Sequence, residues 1–263
     1  MIQNFLNPPN WFTSASIFCS VYAIGLVVGT EDLTPKLLSL ACILVIFGTV
    51  FDLLDGRVAR MTNRFTEFGV QLDSLADLVG FGVAPAILAY AWCLKSLGTV
   101  GIVVCFWYIL CAAFRLARFN VNTSHRAWTL KGHSQGLTST MAGYSIVAFI
   151  WTMNAGLQGL VSVNAVTMAV LVALLGFMMV SSIPFRNFRD LRQNKRSRAL
   201  FALSMAITLT GGIIVDASVF FGGAAVLYIT CGAADGLITT LHFKRTGNPF
   251  FEDLLASETD DNS

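Results

Sequence analysis

Asp52, Asp55, Gly56, Arg60, Gly69, Asp73 and Asp77 stand within DLLDGRVARMTNRFTEFGVQLDSLAD, a stretch embedded in otherwise strongly apolar sequence. Asp52 and Asp55 are three residues apart and Asp73 and Asp77 four apart, so on helices each pair shares one face. Carboxylates near a bilayer are costly to keep charged unless they meet a cavity, a cation or a proton path. Two divalent cations are the natural partners for such a cluster. Magnesium and manganese are hard ions that prefer carboxylate oxygen, and magnesium sites usually also use substrate phosphates. The sequence offers no competing His or Cys set. Paired metals clamp the attacking and leaving oxygens of an in-line phosphoryl displacement, so phosphate chemistry is the expected use. Gly56 and Gly69 would each suit helix packing on their own, but inside the aspartate pattern both fit close approach of a ligand to backbone. Arg60 is permanently charged and can fork onto a diphosphate, or can serve simply as a topology-setting arginine.

Positioning these groups falls to membrane helices. The chain is 263 residues long, 55% hydrophobic and 12% charged, against roughly 25% charged in soluble domains. Its apolar segments are too long and too numerous for barrel strands. The fold class expected is all-α, a polytopic membrane helix bundle. About eight spans are predicted: Ser14–Gly29, Lys36–Phe51, Leu72–Leu94, Gly98–Phe114, Thr138–Ala155, Val161–Ile183, Ala199–Val215 and Ser218–Leu241. With that count, every lysine and arginine except Lys36 and Lys95 falls on one side. The positive-inside rule makes the crowded side cytoplasmic and puts the aspartates at that face, in an integral protein of a bacterial inner membrane.

The rest of the chain frames this core. Residues 1–13 read as an interfacial segment, with Trp11 and Phe12 at headgroup level and Pro8 and Pro9 breaking any helix before the first span. Residues 14–245 form the membrane domain, and residues 246–263 an acidic tail expected to be disordered. The N-terminus lacks a basic region ahead of its apolar stretch, so no cleaved signal peptide is expected. The basic loop Arg186–Arg198 reads first as a topology-setting loop, with attraction to anionic headgroups as a second use. Cys19, Cys42, Cys93, Cys105, Cys111 and Cys231 fall within predicted spans without CxxC pairing, and read as buried apolar residues. No basic face interleaved with aromatics points to nucleic acid. Intramembrane carboxylates also serve transporters and ion pathways, and Asp235 in the last span fits that class best. The other carboxylates cluster at one end and do not run through the membrane, which favours an enzyme.

The string D-x2-D-G-x2-A-R-x8-G-x3-D-x3-D is matched by Asp52, Asp55, Gly56, Ala59, Arg60, Gly69, Asp73 and Asp77. In this the chain resembles the CDP-alcohol phosphotransferase family. The resemblance implies a six-helix core around a cytoplasm-facing polar cavity, two divalent cations, Mg2+ or Mn2+, and a homodimer. It implies that Asp52, Asp55, Asp73 and Asp77 bind the metals, with Asp77 also taking the proton of the attacking hydroxyl. Asp52, Gly56, Ala59, Arg60 and Thr66 would contact the donor, CDP-diacylglycerol.

The motif does not name the acceptor. Pro9–Ser20 (PNWFTSASIFCS), Gly80–Ala86 (GFGVAPA) and Arg115–Asn120 (RLARFN) are similar to the branch of the family that uses L-serine. Arg115 and Arg118 could meet the carboxylate of serine and Asn120 could orient it, or the arginines could merely end a helix. That branch usually carries a proline in the segment where this chain has Thr138, within HSQGLTSTMAG, so a local backbone constraint is expected to be missing. Glycerol 3-phosphate or inositol phosphate would instead recruit Arg115, Arg118 and Lys131 to a phosphate dianion.

Overall fold

The computed structural model describes residues 7–30, 32–62, 66–124, 133–157, 163–181, 184–186 and 216–246. The expected span Ala199–Val215, the basic loop beyond Arg186, and the tail after residue 246 lie outside the described residues, as do the side chains of Cys231 and Asp235.

The described chain is a helix bundle. Helix α1, Pro8–Val28, begins earlier than the apolar pattern suggested. Pro8 and Pro9 occupy its first turn, where a missing N–H costs nothing, so they open the helix instead of holding it back. Asn10 and Thr13 are buried on its first two turns, which makes this stretch part of the bundle as well as its edge. Helix α2, Pro35–Thr62, runs on well past Phe51, where the apolar stretch stops. Hydropathy reports depth in the membrane and not backbone conformation, so it missed the polar turns that carry the site.

Helix α3, Glu67–Asp77, is opened by Thr66, whose hydroxyl accepts the Gly69 amide at 3.0 Å. It continues through a π-helical turn, Leu78–Val83, into α4, Ala84–Trp92. Pro85 explains part of this geometry, because it has no N–H to give the Phe81 carbonyl one turn back. The Tyr108 hydroxyl donates to that carbonyl instead, at 2.9 Å, from α5, Thr99–Ser124. A 3₁₀ turn, Leu94–Leu97, joins α4 and α5 through Gly98, whose φ of 56° suits glycine.

Helix α6, Ser139–Trp151, ends in a second π-helical turn, Thr152–Gly156; α7 is Ala165–Val180 and α8 is Ala217–Thr246. Among the described residues, the one addition to the all-helical expectation is a short antiparallel pair, β1 His133–Gln135 with β2 Pro184–Arg186, in which Ser134 faces Phe185.

Pro8–Val28, Pro35–Thr62, Glu67–Trp92 and Thr99–Val121 are long and apolar enough to cross a membrane. This is an integral membrane protein. Helix α7 is shorter than the expected Val161–Ile183 span. Phe18, Phe106 and Phe177 point outward, each more than 60% exposed, as lipid-facing residues do. Inside, Tyr108, Phe81, Leu88, Ile146, Met168 and Met179 are fully buried. Cys19, Cys42, Cys105 and Cys111 are buried free thiols and Cys93 is a half-buried one, in keeping with their apolar reading.

Small residues let the helices that flank Asp77 approach closely. A Cβ at Gly143 would lie 2.7 Å from the Phe81 carbonyl oxygen and 2.8 Å from its Cα, so α6 rests directly on the π turn. Gly143→Ala is therefore expected to destabilise the protein by about 1–3 kcal/mol through overpacking. A lower thermal unfolding midpoint in detergent, measured by intrinsic fluorescence, checks it.

Candidate active site at the end of helices α2 and α3

Helix α2 carries Asp52, Asp55, Gly56 and Ala59 at offsets of three, four and seven residues, on one face. Helix α3 brings Asp73 and Asp77 to meet them. One carboxylate oxygen from each of Asp52, Asp55 and Asp73 lies within 4.8 Å of the others. Asp77 stands at the edge of this trio, its carboxyl group against that of Asp52. All four expected aspartates thus converge.

Asp55 is the most buried of them at 6% exposure, and the Thr13 hydroxyl donates to its Oδ2 at 2.7 Å. The charged neighbours acting on Asp73 are Asp55 and Asp52, both of like sign. Such a cluster must be neutralised, and hard oxygen donors at this spacing suit a divalent cation of the magnesium class. The residues present therefore fit the metal that the motif implies.

Thr13 was not singled out by its sequence, although PNWFTSASIFCS contains it; 42 residues separate it from Asp55. It orients a carboxylate of the candidate metal cluster from outside the trio, and such partners of metal ligands typically matter about 10–100-fold. Thr13→Val keeps the shape and removes the hydroxyl. It should raise the magnesium concentration for half-maximal activity about tenfold, measured by titrating the cation at saturating substrates.

The two glycines part company. A Cβ at Gly56 would meet nothing within 4 Å, so the space beside Asp55 is open there. At Gly69 a Cβ would sit 3.1 Å from Thr66 Oγ1 and 3.3 Å from Asn10 Oδ1, so Gly69 is a packing position for the helix start. Ala59 is half-buried on the aspartate face, and Arg60 is exposed in the last turn of α2. Thr66, expected at the donor, is the cap of α3; a hydroxyl that accepts there still has its proton to give.

The three expected acceptor residues lie on the last part of α5 and have different surroundings. Arg115 is within electrostatic reach of Asp77 and donates from Nη1 to the Ser139 hydroxyl. Asn120 exchanges hydrogen bonds with Ser74, which lies between Asp73 and Asp77, at 3.0 and 3.2 Å. Arg118 instead donates to the Val180 and Met179 carbonyls at 3.0 and 3.2 Å, closing the C-terminal end of α7.

The segment around Thr138 resolves the missing proline. Thr138 has φ −69° and ψ 142°, with the φ that a proline ring would fix, and its hydroxyl accepts the Met141 amide at 3.4 Å to cap α6. Just before it, Gly136 has φ 74°, and a Cβ there would lie 2.5 Å from the Met179 carbonyl oxygen. The backbone constraint is thus supplied by a glycine and a capping hydroxyl.

The sequence pattern of CDP-alcohol phosphatidyltransferases matches residues 6–180. The chain is 32% identical over 223 residues to a CDP-diacylglycerol–serine O-phosphatidyltransferase of Helicobacter pylori, covering 84% of this chain and 88% of that one. It is 30% identical over 181 residues to the Bacillus subtilis protein of the same name, covering 69% and 90%. An archaetidylserine synthase of Methanothermobacter thermautotrophicus is 37% identical over 150 residues, 56% of this chain and 58% of that one. With the aspartates of the motif gathered on two adjoining helices and the matched pattern spanning both, the chain belongs to the CDP-alcohol phosphatidyltransferase family.

Proposed function

We propose that this enzyme makes phosphatidylserine by transferring the phosphatidyl group of CDP-diacylglycerol to the hydroxyl of L-serine, releasing CMP, at a site facing the cytoplasm of a bacterial inner membrane. The observation that carries the reading is the position of Asp77, against Asp52 of the carboxylate cluster and within electrostatic reach of Arg115. One residue thereby joins the carboxylate cluster to a cation suited to an amino acid's carboxylate. The names of the Helicobacter and Bacillus relatives support serine as acceptor.

Two divalent cations, magnesium or manganese, held by Asp52, Asp55, Asp73 and Asp77 would spread the charge that develops on the transferred phosphate. The chain's own groups do the rest. Gly56 leaves room beside the aspartates for the donor's diphosphate, Ala59 adjoins it on the same face, and Arg60 forks onto it from the end of α2. Thr66 gives its proton to a donor oxygen. Arg115 binds the carboxylate of serine, which sets its hydroxyl beside Asp77. Asn120 keeps α3 in place through Ser74. Asp77 takes the hydroxyl proton as the serine oxygen bonds to the lipid-linked phosphorus. The bond from that phosphorus to the CMP oxygen breaks in line, and CMP departs. Arg118, engaged with the end of α7, holds α5 and α7 together behind Arg115.

The test supplies the purified protein in liposomes with CDP-diacylglycerol and magnesium, together with serine, glycerol 3-phosphate or inositol phosphate in separate reactions. Phosphatidylserine as the lipid product and CMP release only with serine are expected; a preference for either phosphate-bearing alcohol would overturn the assignment. The homodimer belongs to the same proposal, and the mass of the purified protein–detergent particle tests it.

A further inference from the structure

Tyr228 lies on α8, beyond the residues matched to the family pattern. Its hydroxyl is hydrogen-bonded to the side chain of Thr138, and it stands within electrostatic range of Arg115. Thr138 opens α6, and the next residue, Ser139, is fully buried and accepts a hydrogen bond from Arg115 Nη1. The start of α6 therefore touches both Arg115 and Tyr228. Helix α8 is fixed against α6 and the π-helical turn that ends it by further contacts: the Tyr144 hydroxyl donates to the Phe221 carbonyl at 3.2 Å, and the Thr152 hydroxyl to the Ser218 carbonyl at 2.7 Å. The Tyr228 hydroxyl is thus brought from α8 to the same end of α6 that Arg115 binds.

We infer that Tyr228, working with Thr138, is a positioning residue that sets the Arg115 guanidinium for the acceptor's carboxylate. An arginine near Asp77 has a competing partner, and a guanidinium drawn onto Asp77 would be turned from the substrate. Ser139 accepts a hydrogen bond from its Nη1 at the start of α6, and Tyr228 is hydrogen-bonded to the neighbouring Thr138. A proline at position 138 would suit the observed φ but have no hydroxyl for Tyr228, so the hydrogen bond depends on Thr here. The inference rests on the reading of Arg115 as the acceptor's carboxylate partner.

The experiment measures initial rates in mixed micelles, varying serine at saturating CDP-diacylglycerol and magnesium, and then varying each of those in turn. Tyr228→Phe is expected to raise KM for serine about tenfold, with kcat, the donor KM and the magnesium requirement within about twofold of the parent. Thr138→Pro, which suits the observed φ, should raise the serine KM in the same way, and the double variant should be no worse than the poorer single variant. An unchanged serine KM in Tyr228→Phe, or an equal loss in kcat and donor KM, overturns the inference. If Tyr228→Phe does not yield a monodisperse protein, Thr138→Val takes its place: a raised serine KM alone supports the positioning role, and an unchanged one overturns it. Arg115→Lys separates the levels. A raised serine KM there with none in Tyr228→Phe sinks only the positioning role, whereas no change in Arg115→Lys removes the acceptor site on which it rests.

Discussion

Replacing Asp77 by Asn is expected to cut CMP release about 10³-fold or more while leaving the folded protein able to retain CDP-diacylglycerol. Asparagine has nearly the same shape and can still present an oxygen to Arg115, so the packing around the site is kept. What it lacks is a basic oxygen to take the proton. The trio of Asp52, Asp55 and Asp73, which converges without Asp77, should still attract a divalent cation. This makes the magnesium dependence diagnostic. If Asp52 is a metal ligand as proposed, Asp52→Asn weakens the metal's hold and excess magnesium should restore part of its activity. In Asp77→Asn excess magnesium should restore almost none. Turnover of Asp77→Asn near that of the parent, or full rescue by magnesium, would remove the residue from the base role and leave it a ligand only.

The aspartate face was legible because helical periodicity is a local property. Offsets of three, four and seven residues along α2 fix Asp52, Asp55, Gly56 and Ala59 on one side whatever else the chain does. What surrounds that face was not legible, since it depends on which helices meet. Thr13 reaches Asp55 from α1, and Tyr228 reaches Thr138 from α8. No local spacing announces either contact. The π turn after Asp77 lies between these cases. Pro85 implies that the Phe81 carbonyl lacks its usual donor, but only the fold says that Tyr108 supplies one. Arg115 and Arg118 make the same point from the other direction. Three residues apart on one helix, they read as a pair; the end of α7, beside Arg118, separates their roles.

Gly56 gives the second large effect, and one in which stability and activity should move in opposite directions. Glycine inside a helix costs roughly 0.5–1 kcal/mol relative to alanine, because the unfolded chain has more freedom to lose. With nothing within 4 Å of a Cβ at this position, Gly56→Ala has no clash to set against that gain. The unfolding midpoint should hold or rise. Gly143→Ala, at a glycine pressed onto the Phe81 backbone, should show the reverse. The open space at Gly56 adjoins Asp55 on the face that also carries Asp52 and Ala59, which is where the proposed reading puts the donor's diphosphate. A side chain entering it competes with the donor. Gly56→Ala should lower kcat/KM for CDP-diacylglycerol only several-fold, whereas Gly56→Leu, which fills more of the space, should lower it about 100-fold or more at unchanged thermal stability. The loss should sit in the donor, and serine should saturate as before wherever turnover remains measurable. A Gly56→Leu protein with normal donor kinetics would mean that the diphosphate lies elsewhere, and would leave the open face of α2 without its substrate.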